Sequence, residues 1–246
     1  MPGLINTHCH AADSLFRGLV ENLPLEEWLG RVWIAEKAIL TPETTYLGSV
    51  LGLAENLLSG STTVMDMFWY PDETVRAAKD LGMRISTGGI FFDLPGIGGR
   101  SHENYVSEAR NFYKSHSSDD SVIPAILPHG SYTVSPQNLS EAKSIADQYG
   151  ILFCTHAAET QAEQNDIKTR YDNSVIRHLD KYKLLGETSV LAHCVHLDET
   201  EISLLAQSNT NVVLNPMSNL KLGSGIAPVK EMYRAGINLT IGTDGA

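Results

Sequence analysis

The chain has 246 residues, and its 29 acidic against 18 basic residues give a formal net charge of −11 at pH 7. Proteins that hold phosphate backbones need clustered Lys and Arg side chains, so this balance argues against nucleic-acid binding and favours a small-molecule partner. With 42% hydrophobic and 19% charged residues, the composition is that of a globular protein and not of a disordered or fibrous one.

Three features of the sequence bear on its compartment. No apolar run approaches the roughly 18 residues that span a bilayer, and no basic start with an apolar stretch signals export. The cysteines, Cys9, Cys154 and Cys194, lie far apart and form no CxxC pair, so they predict neither a disulfide framework nor a thiolate metal site. We therefore expect a cytoplasmic protein without membrane contact.

Short β-branched runs alternate with amphipathic stretches along the chain. Eight strands are predicted, at 4–10, 62–67, 84–89, 122–128, 152–156, 189–193, 211–215 and 238–244. Seven helices are predicted between them, at 44–59, 72–81, 103–115, 136–149, 174–184, 199–207 and 228–235. In the first helix Leu47, Leu51 and Leu58 recur at the spacing of one buried face.

Eight strands separated by helices predict a parallel sheet, and at about 250 residues its natural form is the closed (β/α)8 TIM barrel. We expect one domain, residues 1–246, that lacks the helix covering its last strand, because only two residues follow that strand. An open doubly wound sheet is the alternative. The first strand, however, ends in His8-Cys9-His10 and not in the glycine fingerprint of dinucleotide-binding sheets.

Metal-compatible side chains stand at the predicted C-terminal ends of the strands, the rim where barrels of this kind carry their chemistry. These side chains are His8, His10, His129, His156, His193 and Asp244. His8 and His10 are two positions apart on one strand and point to the same face. Such a pair also fits two solvated histidines, but the matching positions on other strands favour a Zn²⁺ or Fe²⁺ site.

Other polar and aromatic residues near this rim have two interpretations each. Glu159, three residues after His156, could handle protons beside a metal or be a solvated loop residue. His129 fits either a ligand-binding or a structural loop histidine. Five aromatic residues after the second and third strands predict a pocket wall or ordinary packing under loops: Phe68, Trp69, Tyr70, Phe91 and Phe92.

Six segments together resemble the amidohydrolase superfamily, in its cytosine-deaminase-like branch. They are PGLINTHCH at 2–10, SLFRGL at 14–19, LEEWL at 25–29, LAHCVHL at 191–197, NPMSNLKLGSGIAP at 215–228 and GTDG at 242–245. Within that branch the chain resembles the S-adenosylhomocysteine/5′-methylthioadenosine deaminases and the triazine hydrolases. The resemblance spans essentially the whole chain.

The resemblance implies one divalent metal ion, zinc or iron, with the ligands His8, His10, His156 and Asp244. Two-metal members of the superfamily bridge their ions with a lysine or glutamate after the fourth strand, where this chain has Pro128-His129. The implied catalytic residues are Asp244, which takes the proton of the attacking water, Glu159, the proton shuttle, and His193, which stabilises the tetrahedral centre.

The implied reaction is hydrolytic deamination of an aminopurine nucleoside or a related heterocycle, with water as the second reactant. The unrelated cytidine-deaminase fold is excluded, because its HxE and PCxxC signature is missing. Two alternatives stay open at this point. One is a chlorohydrolase or other amidohydrolase acting on a heterocycle, and the other is a truncated fragment without catalytic activity.

The resemblance also implies substrate-binding roles for Glu36, Arg100 and His129, beside Glu159 and His193. Arg100 would bind a substrate carboxylate or the ribose edge, and Glu36 and His129 would bind ribose and base. Adenosylhomocysteine deaminases of the family carry a further arginine just after the third strand, where this chain has Gly89. A homocysteine tail is therefore disfavoured.

Family members commonly form homo-oligomers and carry a small β-sandwich built from segments outside the barrel. We find neither sandwich segment in this sequence, and we expect the 246-residue chain to be prone to aggregation because its last strand lacks a covering helix. Homo-oligomer formation is left open.

Overall fold

Parallel strands form the centre of the protein, in a computed structural model that describes residues 1–94 and 99–245. The strands are β1 (Leu4–Cys9), β2 (Ser61–Asp66), β3 (Arg84–Phe91), β4 (Val122–Pro128), β5 (Leu152–Ala157), β6 (Ser189–His193), β7 (Asn211–Leu214) and β8 (Leu239–Ile241). They pair in chain order, so that each strand is hydrogen-bonded to the next one along the sequence. All eight predicted strands are confirmed.

The first and last strands also meet. Thr7 Oγ1 on β1 donates a hydrogen bond to Thr240 Oγ1 on β8 at 2.8 Å, and a parallel bridge joins Cys9 to Asp244. A parallel sheet whose edge strands come together in this way is a barrel. The predicted (β/α)8 fold is confirmed, and the open doubly wound alternative is excluded.

Helices cover the outside of this barrel. They are α1 (Leu25–Ile39), α2 (Pro42–Leu58), α3 (Pro71–Asp80), α4 (His102–His116), α5 (Pro136–Tyr149), α6 (Gln161–Tyr171), α7 (Val175–Lys181), α8 (Glu199–Gln207), α9 (Pro216–Lys221) and α10 (Val229–Arg234), with a 3-10 turn at Ala11–Phe16. Local chemistry sets several ends. Ser135 caps α5 just before Pro136, and Gly150 ends it with φ +65°.

Three of these helices, α1, α6 and α9, were not predicted. The buried face predicted for α2 is also wrong, because Leu47, Leu51 and Leu58 are exposed. Two strands also end two or more residues away from the expected position. β3 continues two residues beyond the prediction, and β8 stops at Ile241 because the chain turns there. The amides of Thr243 and Asp244 both donate to the carbonyl of His8, and Asp244 has φ +62°. Asp244 therefore lies in a turn that folds back against β1.

Alternate positions of the strands fill two apolar layers. The inside of the barrel holds Met65, Met67, Ala125, Leu127, Cys154, Val190 and Val213. Val64 and Ile85 point the other way, into a layer that contains Leu53 of α2 and Val75 of α3. Among the described residues, no helix combines the length and the apolar character that crossing a membrane requires.

Candidate active site

Three imidazole rings and a carboxylate converge at the C-terminal rim of the barrel. His8 lies on β1 and His10 follows that strand, His156 lies on β5, and Asp244 lies in the turn after β8. His156 Nε2 is 3.0 Å from His8 Nε2 and 3.3 Å from His10 Nε2. Asp244 Oδ1 is 3.0 Å from His10 Nε2 and 3.4 Å from His8 Nε2.

Backbone carbonyls fix the tautomers of two of these rings. His10 Nδ1 donates to Met67 O and His156 Nδ1 donates to His129 O, each at 2.6 Å. Because a carbonyl oxygen only accepts, each Nδ1 carries a proton, and each Nε2 is directed into the cluster, where its lone pair is available to a metal ion whenever the ring is neutral. Burial, with the neighbouring histidines, also lowers the pKa of His156 well below its ordinary value.

This donor set fits a small divalent cation. The Nε2 atoms of His8, His10 and His156 face one another beside the Asp244 carboxylate, an arrangement of buried polar atoms that a positive charge between them would stabilise. In a tetrahedral shell with zinc bonds of about 2.0–2.1 Å, the donor atoms stand about 3.3 Å apart, close to the separations found here. The residues present therefore suit the metal site predicted from the sequence.

His193 lies beside this cluster. Its potential donor atom and those of His8, His156 and Asp244 are all within 4.8 Å of one another. His193 Nε2 is 3.7 Å from Asp244 Oδ2 and 3.6 Å from Glu159 Oε2. The ring is thus placed between the carboxylate of the cluster and the predicted proton shuttle.

Glu159 lies just beyond β5 and is almost fully buried, with 2% of its surface exposed. Burial raises the pKa of this carboxyl to about 7, against the lowering effect of His193. Ser224 Oγ donates to its Oε1 at 3.3 Å. A carboxyl that titrates near neutral pH, next to a metal-compatible cluster, is suited to proton transfer.

The cluster lies in a pocket with an aromatic wall. Phe68, Trp69 and Phe92 line this pocket, as the sequence predicted, and Trp28 and Trp33 of α1 complete the wall. Tyr70 and Phe91 do not line it. Phe91 is buried against His102 and Tyr105, and Tyr70 lies under the guanidinium of Arg100.

Comparison with known proteins identifies the family. The profile of the amidohydrolase family matches residues 1–246. The chain belongs to the amidohydrolase family. The resemblance stated from its motifs is thereby confirmed.

The curated relatives of this amidohydrolase include deaminases. It is 38% identical over 246 residues to a 5-methylthioadenosine/S-adenosylhomocysteine deaminase of Aquifex aeolicus (strain VF5), with all of this chain and 57% of that protein covered. It is also 38% identical over 247 residues to a 5′-deoxyadenosine deaminase of Methanopyrus kandleri, again with 100% of this chain and 57% of that protein covered. The chain thus spans little more than half the length of these relatives.

A solved structure shows the same barrel. An adenosine deaminase from Xanthomonas campestris with bound zinc superposes with a TM-score of 0.96 at 34% identity, and the match covers 99% of this chain and 56% of that one. The superposition includes nearly every residue of the barrel described here.

Two of the three predicted substrate-binding residues outside the cluster line the amidohydrolase pocket. Glu36 Oε2 accepts a hydrogen bond from Trp69 Nε1 at 3.0 Å. Burial raises the pKa of Glu36, although the Trp69 bond acts against that effect. His129 packs edge-on against Phe92, with ring centres 5.3 Å apart, and its Nδ1 lies 2.9 Å from Thr133 Oγ1.

Arg100 is not among the described residues that line this pocket. It lies in a neighbouring depression, where its Nε donates to Glu108 Oε1 at 3.0 Å and its guanidinium covers the Tyr70 ring at 4.9 Å. The structure therefore does not bring Arg100 together with the other predicted site residues.

Several residues that hold the site were not singled out from the sequence. Asn219 Oδ1 accepts from His193 Nδ1 at 2.8 Å, and Ser218 Oγ donates to Asp244 Oδ2 at 2.6 Å. Both residues belong to the NPMSN segment, which contributed to the family resemblance without a role of its own. That segment was the available signal, because it places polar side chains directly after β7 at the same rim.

Proposed function

We propose that this amidohydrolase hydrolytically deaminates an adenosine-like nucleoside, releasing ammonia and leaving an oxygen on the purine ring. The observation that carries the proposal is the meeting of Glu159 and His193 with the metal-compatible cluster at the base of an aromatic pocket. The names of the relatives support the same reaction for proteins of which this chain spans just over half.

The proposed metal ligands are His8, His10, His156 and Asp244, which hold one divalent ion. Nitrogen and carboxylate donors favour zinc, with iron as the alternative. A divalent ion at such a site lowers the pKa of water from 15.7 toward about 7 and so makes hydroxide accessible at neutral pH.

The protein's own groups then move the protons. Asp244 takes the proton of the attacking water. Burial would raise the pKa of Asp244, but the close contacts of its carboxylate with the His10 and His8 rings hold that pKa well below the ordinary value, so the carboxylate is ionised. Glu159 gives its proton to the ring nitrogen beside the attacked carbon. Asp244 returns the proton of water to the leaving amine, and Glu159 recovers a proton from the new hydroxyl group as that carbon becomes a carbonyl and ammonia departs.

His193 and the pocket wall orient the reacting atoms. Asn219 fixes the His193 ring so that Nε2 faces Glu159 and Asp244, where the tetrahedral centre forms. The aromatic wall stacks the purine, with Glu36 and His129 binding ribose and base.

We further propose a substrate with an uncharged 5′ substituent, such as a 5′-deoxy or 5′-methylthio group. The Arg100 guanidinium is paired with Glu108 outside the pocket. Gly89 does not follow the third strand as expected from the sequence, because β3 continues to Phe91 and Gly89 faces Ala109 of α4. The pairing of Arg100 with Glu108 is therefore the observation that disfavours binding of the charged tail of adenosylhomocysteine.

The test combines elemental analysis with ammonia release. The purified chain is compared with its His156→Ala and Asp244→Ala variants on 5′-deoxyadenosine, 5′-methylthioadenosine, adenosylhomocysteine, adenosine and guanine. We expect about one ion per chain, lost in both variants, and ammonia release that is fastest with the first two substrates. One ion without ammonia from any substrate would overturn the deaminase proposal, and a folded chain without metal would overturn the ligand assignment.

We also place the protein in the cytoplasm, and its three cysteines, which are free and buried, fit a reducing compartment. Homo-oligomer formation stays a prediction of the family resemblance. A molar mass from light scattering tests it, and a single monomeric species would contradict it.

A further inference from the structure

A second buried carboxyl stands next to Glu159 and has no role in the proposed reaction. Glu163, in the first turn of α6, is 5% exposed. Its Oε2 accepts a hydrogen bond from the backbone N–H of Glu159 at 2.8 Å, and its Oε1 accepts from Ser131 Oγ at 3.4 Å. Its carboxyl thus joins two loops of the active-site rim.

The two loops are those that follow β4 and β5. Ser131 is 1% exposed and lies between His129 and Tyr132, which both line the pocket. At the end of β5, His156 also contacts the loop after β4, because its backbone N–H and its Nδ1 both donate to the His129 carbonyl. Glu163 therefore adds a side-chain connection between the loop after β4 and the loop that carries Glu159.

The peptide group that Glu163 contacts is held at both of its ends. The carbonyl of Ala158 accepts from the amides of Val195 and His196, each at 2.9 Å, and the N–H of the same peptide, which belongs to Glu159, donates to Glu163. Ala158 has φ +53°, a left-handed conformation that alanine adopts only at a cost. A peptide in this conformation needs surrounding contacts to keep its orientation.

We propose that Glu163 is a positioning residue, whose carboxyl clamps the Ala158–Glu159 peptide and thereby aims the Glu159 side chain at His193. This inference rests on the proposed function for the role of Glu159. Glu163 is not one of the described residues that line the pocket, so it acts through Glu159 and does not touch the substrate.

The clamp needs an acceptor oxygen and not a negative charge. Burial raises the pKa of Glu163 to about 8, so a neutral carboxylic acid is accessible at physiological pH. An amide of the same shape offers an oxygen to the Glu159 N–H and an NH₂ group to Ser131 Oγ. Glu163→Gln should therefore keep the clamp, whereas Glu163→Leu, of similar volume, should remove it.

The first readout is hydrogen exchange of the Glu159 amide in the metal-loaded full chain, followed on short overlapping peptides by mass spectrometry. Loss of one hydrogen bond predicts exchange about tenfold faster in Glu163→Leu, and exchange within about twofold of wild type in Glu163→Gln. This measurement needs no turnover, so it separates a failure of the positioning role from a failure of the proposed function, which the wild type's ammonia release tests.

The second readout is steady-state kinetics on the best substrate found for the wild type. Glu163→Leu should lower kcat about 10- to 100-fold with KM within about threefold and metal content unchanged, because a misplaced proton shuttle slows chemistry without weakening binding. Glu163→Gln should restore kcat to near the wild-type value. An unchanged kcat and a protected Glu159 amide in Glu163→Leu would overturn the proposal.

Two further results test the positioning role of Glu163. If Glu163→Gln loses as much kcat as Glu163→Leu while its Glu159 amide stays protected, the carboxyl is needed for its own chemistry and the positioning role is wrong. Ser131→Ala removes the other partner of Glu163 and covers the case in which the leucine variant does not fold. It should speed exchange of the Glu159 amide and lower kcat in the same direction but less, and no change in either would contradict the clamp.

Discussion

At the scale of single residues, the candidate site depends on hydrogen bonds that fix each group before any ligand arrives. The carbonyls of Met67 and His129 determine which nitrogens of His10 and His156 face the cluster. Asn219 does the same for His193. These side chains are therefore ordered before a ligand binds, and this preorganisation favours metal affinity and catalysis.

Glu159→Gln tests the proton shuttle. Gln keeps the shape of the side chain but cannot transfer a proton, so kcat should fall by about 10²- to 10⁴-fold while the metal content stays near one ion per chain. Ammonia release and elemental analysis on the same sample measure both. Glu187→Gln, at an exposed loop position, is the matched control and should keep wild-type kcat. If the kcat of Glu159→Gln stays within threefold of the wild-type kcat, another group transfers the proton.

Ser218→Ala tests the support of a metal ligand. Ser218 Oγ donates to Asp244 Oδ2, and loss of such an outer hydrogen bond typically weakens metal binding about tenfold or more. Competition with a chelator gives the affinity. Ser203→Ala is the control, because the Ser203 hydroxyl is exposed and donates to the backbone of its own helix α8. Equal affinities in the two variants would rule out a supporting role for Ser218.

At the scale of secondary-structure elements, sequence periodicity predicts the strands well and some helices poorly. The β-branched runs stand out because each strand is buried, and all eight were predicted near their true positions. α6 was missed because it has a single buried apolar residue, Ile167, and its other buried side chain is Glu163, so no apolar stripe exists to detect. In α1, Ile34 and Ile39 are exposed while Val32 is buried, and apolar residues on both faces blur the pattern.

The sequence therefore predicts some parts of the site better than others. The predicted metal ligands come together because strand ends of a barrel share one rim, a property that follows from the fold alone. The contribution of α1 to the pocket could not be predicted in the same way, because the position of a helix that follows a long loop depends on tertiary packing. Arg100 illustrates this limit, because its guanidinium binds Glu108 of α4 in a neighbouring depression and not the pocket.

Trp69→Phe tests how α1 and the loop after β2 cooperate. The change keeps a ring in the aromatic wall but leaves the buried Glu36 carboxyl without the indole N–H, which should disturb substrate binding. KM should rise about tenfold with kcat within about threefold. Trp28→Phe, the same substitution in the same wall, leaves the Glu36 bond intact and should change KM less. A KM for Trp69→Phe equal to that of Trp28→Phe would exclude Glu36 from substrate binding.

At the scale of the whole molecule, a buried histidine far from the cluster links stability to pH. His178 of α7 is fully buried between Tyr171 and Tyr182, with ring centres 4.4 and 5.1 Å away, and neither ring nitrogen has a hydrogen-bond partner among the described residues. Burial lowers the pKa of His178 to about 4. The folded protein therefore resists protonation of this ring.

His178→Phe should reduce the pH dependence of the free energy of unfolding in the acidic range. Above pH 6.5 the ring is neutral in both folded and unfolded chains and contributes no pH dependence. As the pH falls from about 6.5 to 4, the unfolded chain binds a proton on this ring that the folded chain does not bind, so the free energy of unfolding declines. Denaturant unfolding at several pH values should show a smaller decline for His178→Phe than for wild type at equal metal loading. Parallel curves would mean that His178 does not contribute.

The order of the strands around the barrel has a consequence for how the protein is made. Because β8 returns to β1, the proposed ligands His8 and Asp244 lie far apart in the sequence yet share one cluster. A ribosome releases the first histidine pair long before the aspartate that completes the proposed set. Until then the nascent chain has only part of the proposed metal site and a sheet with an open edge. Tight capture of an ion would therefore follow the pairing of β8 with β1, and it would mark a barrel that has closed.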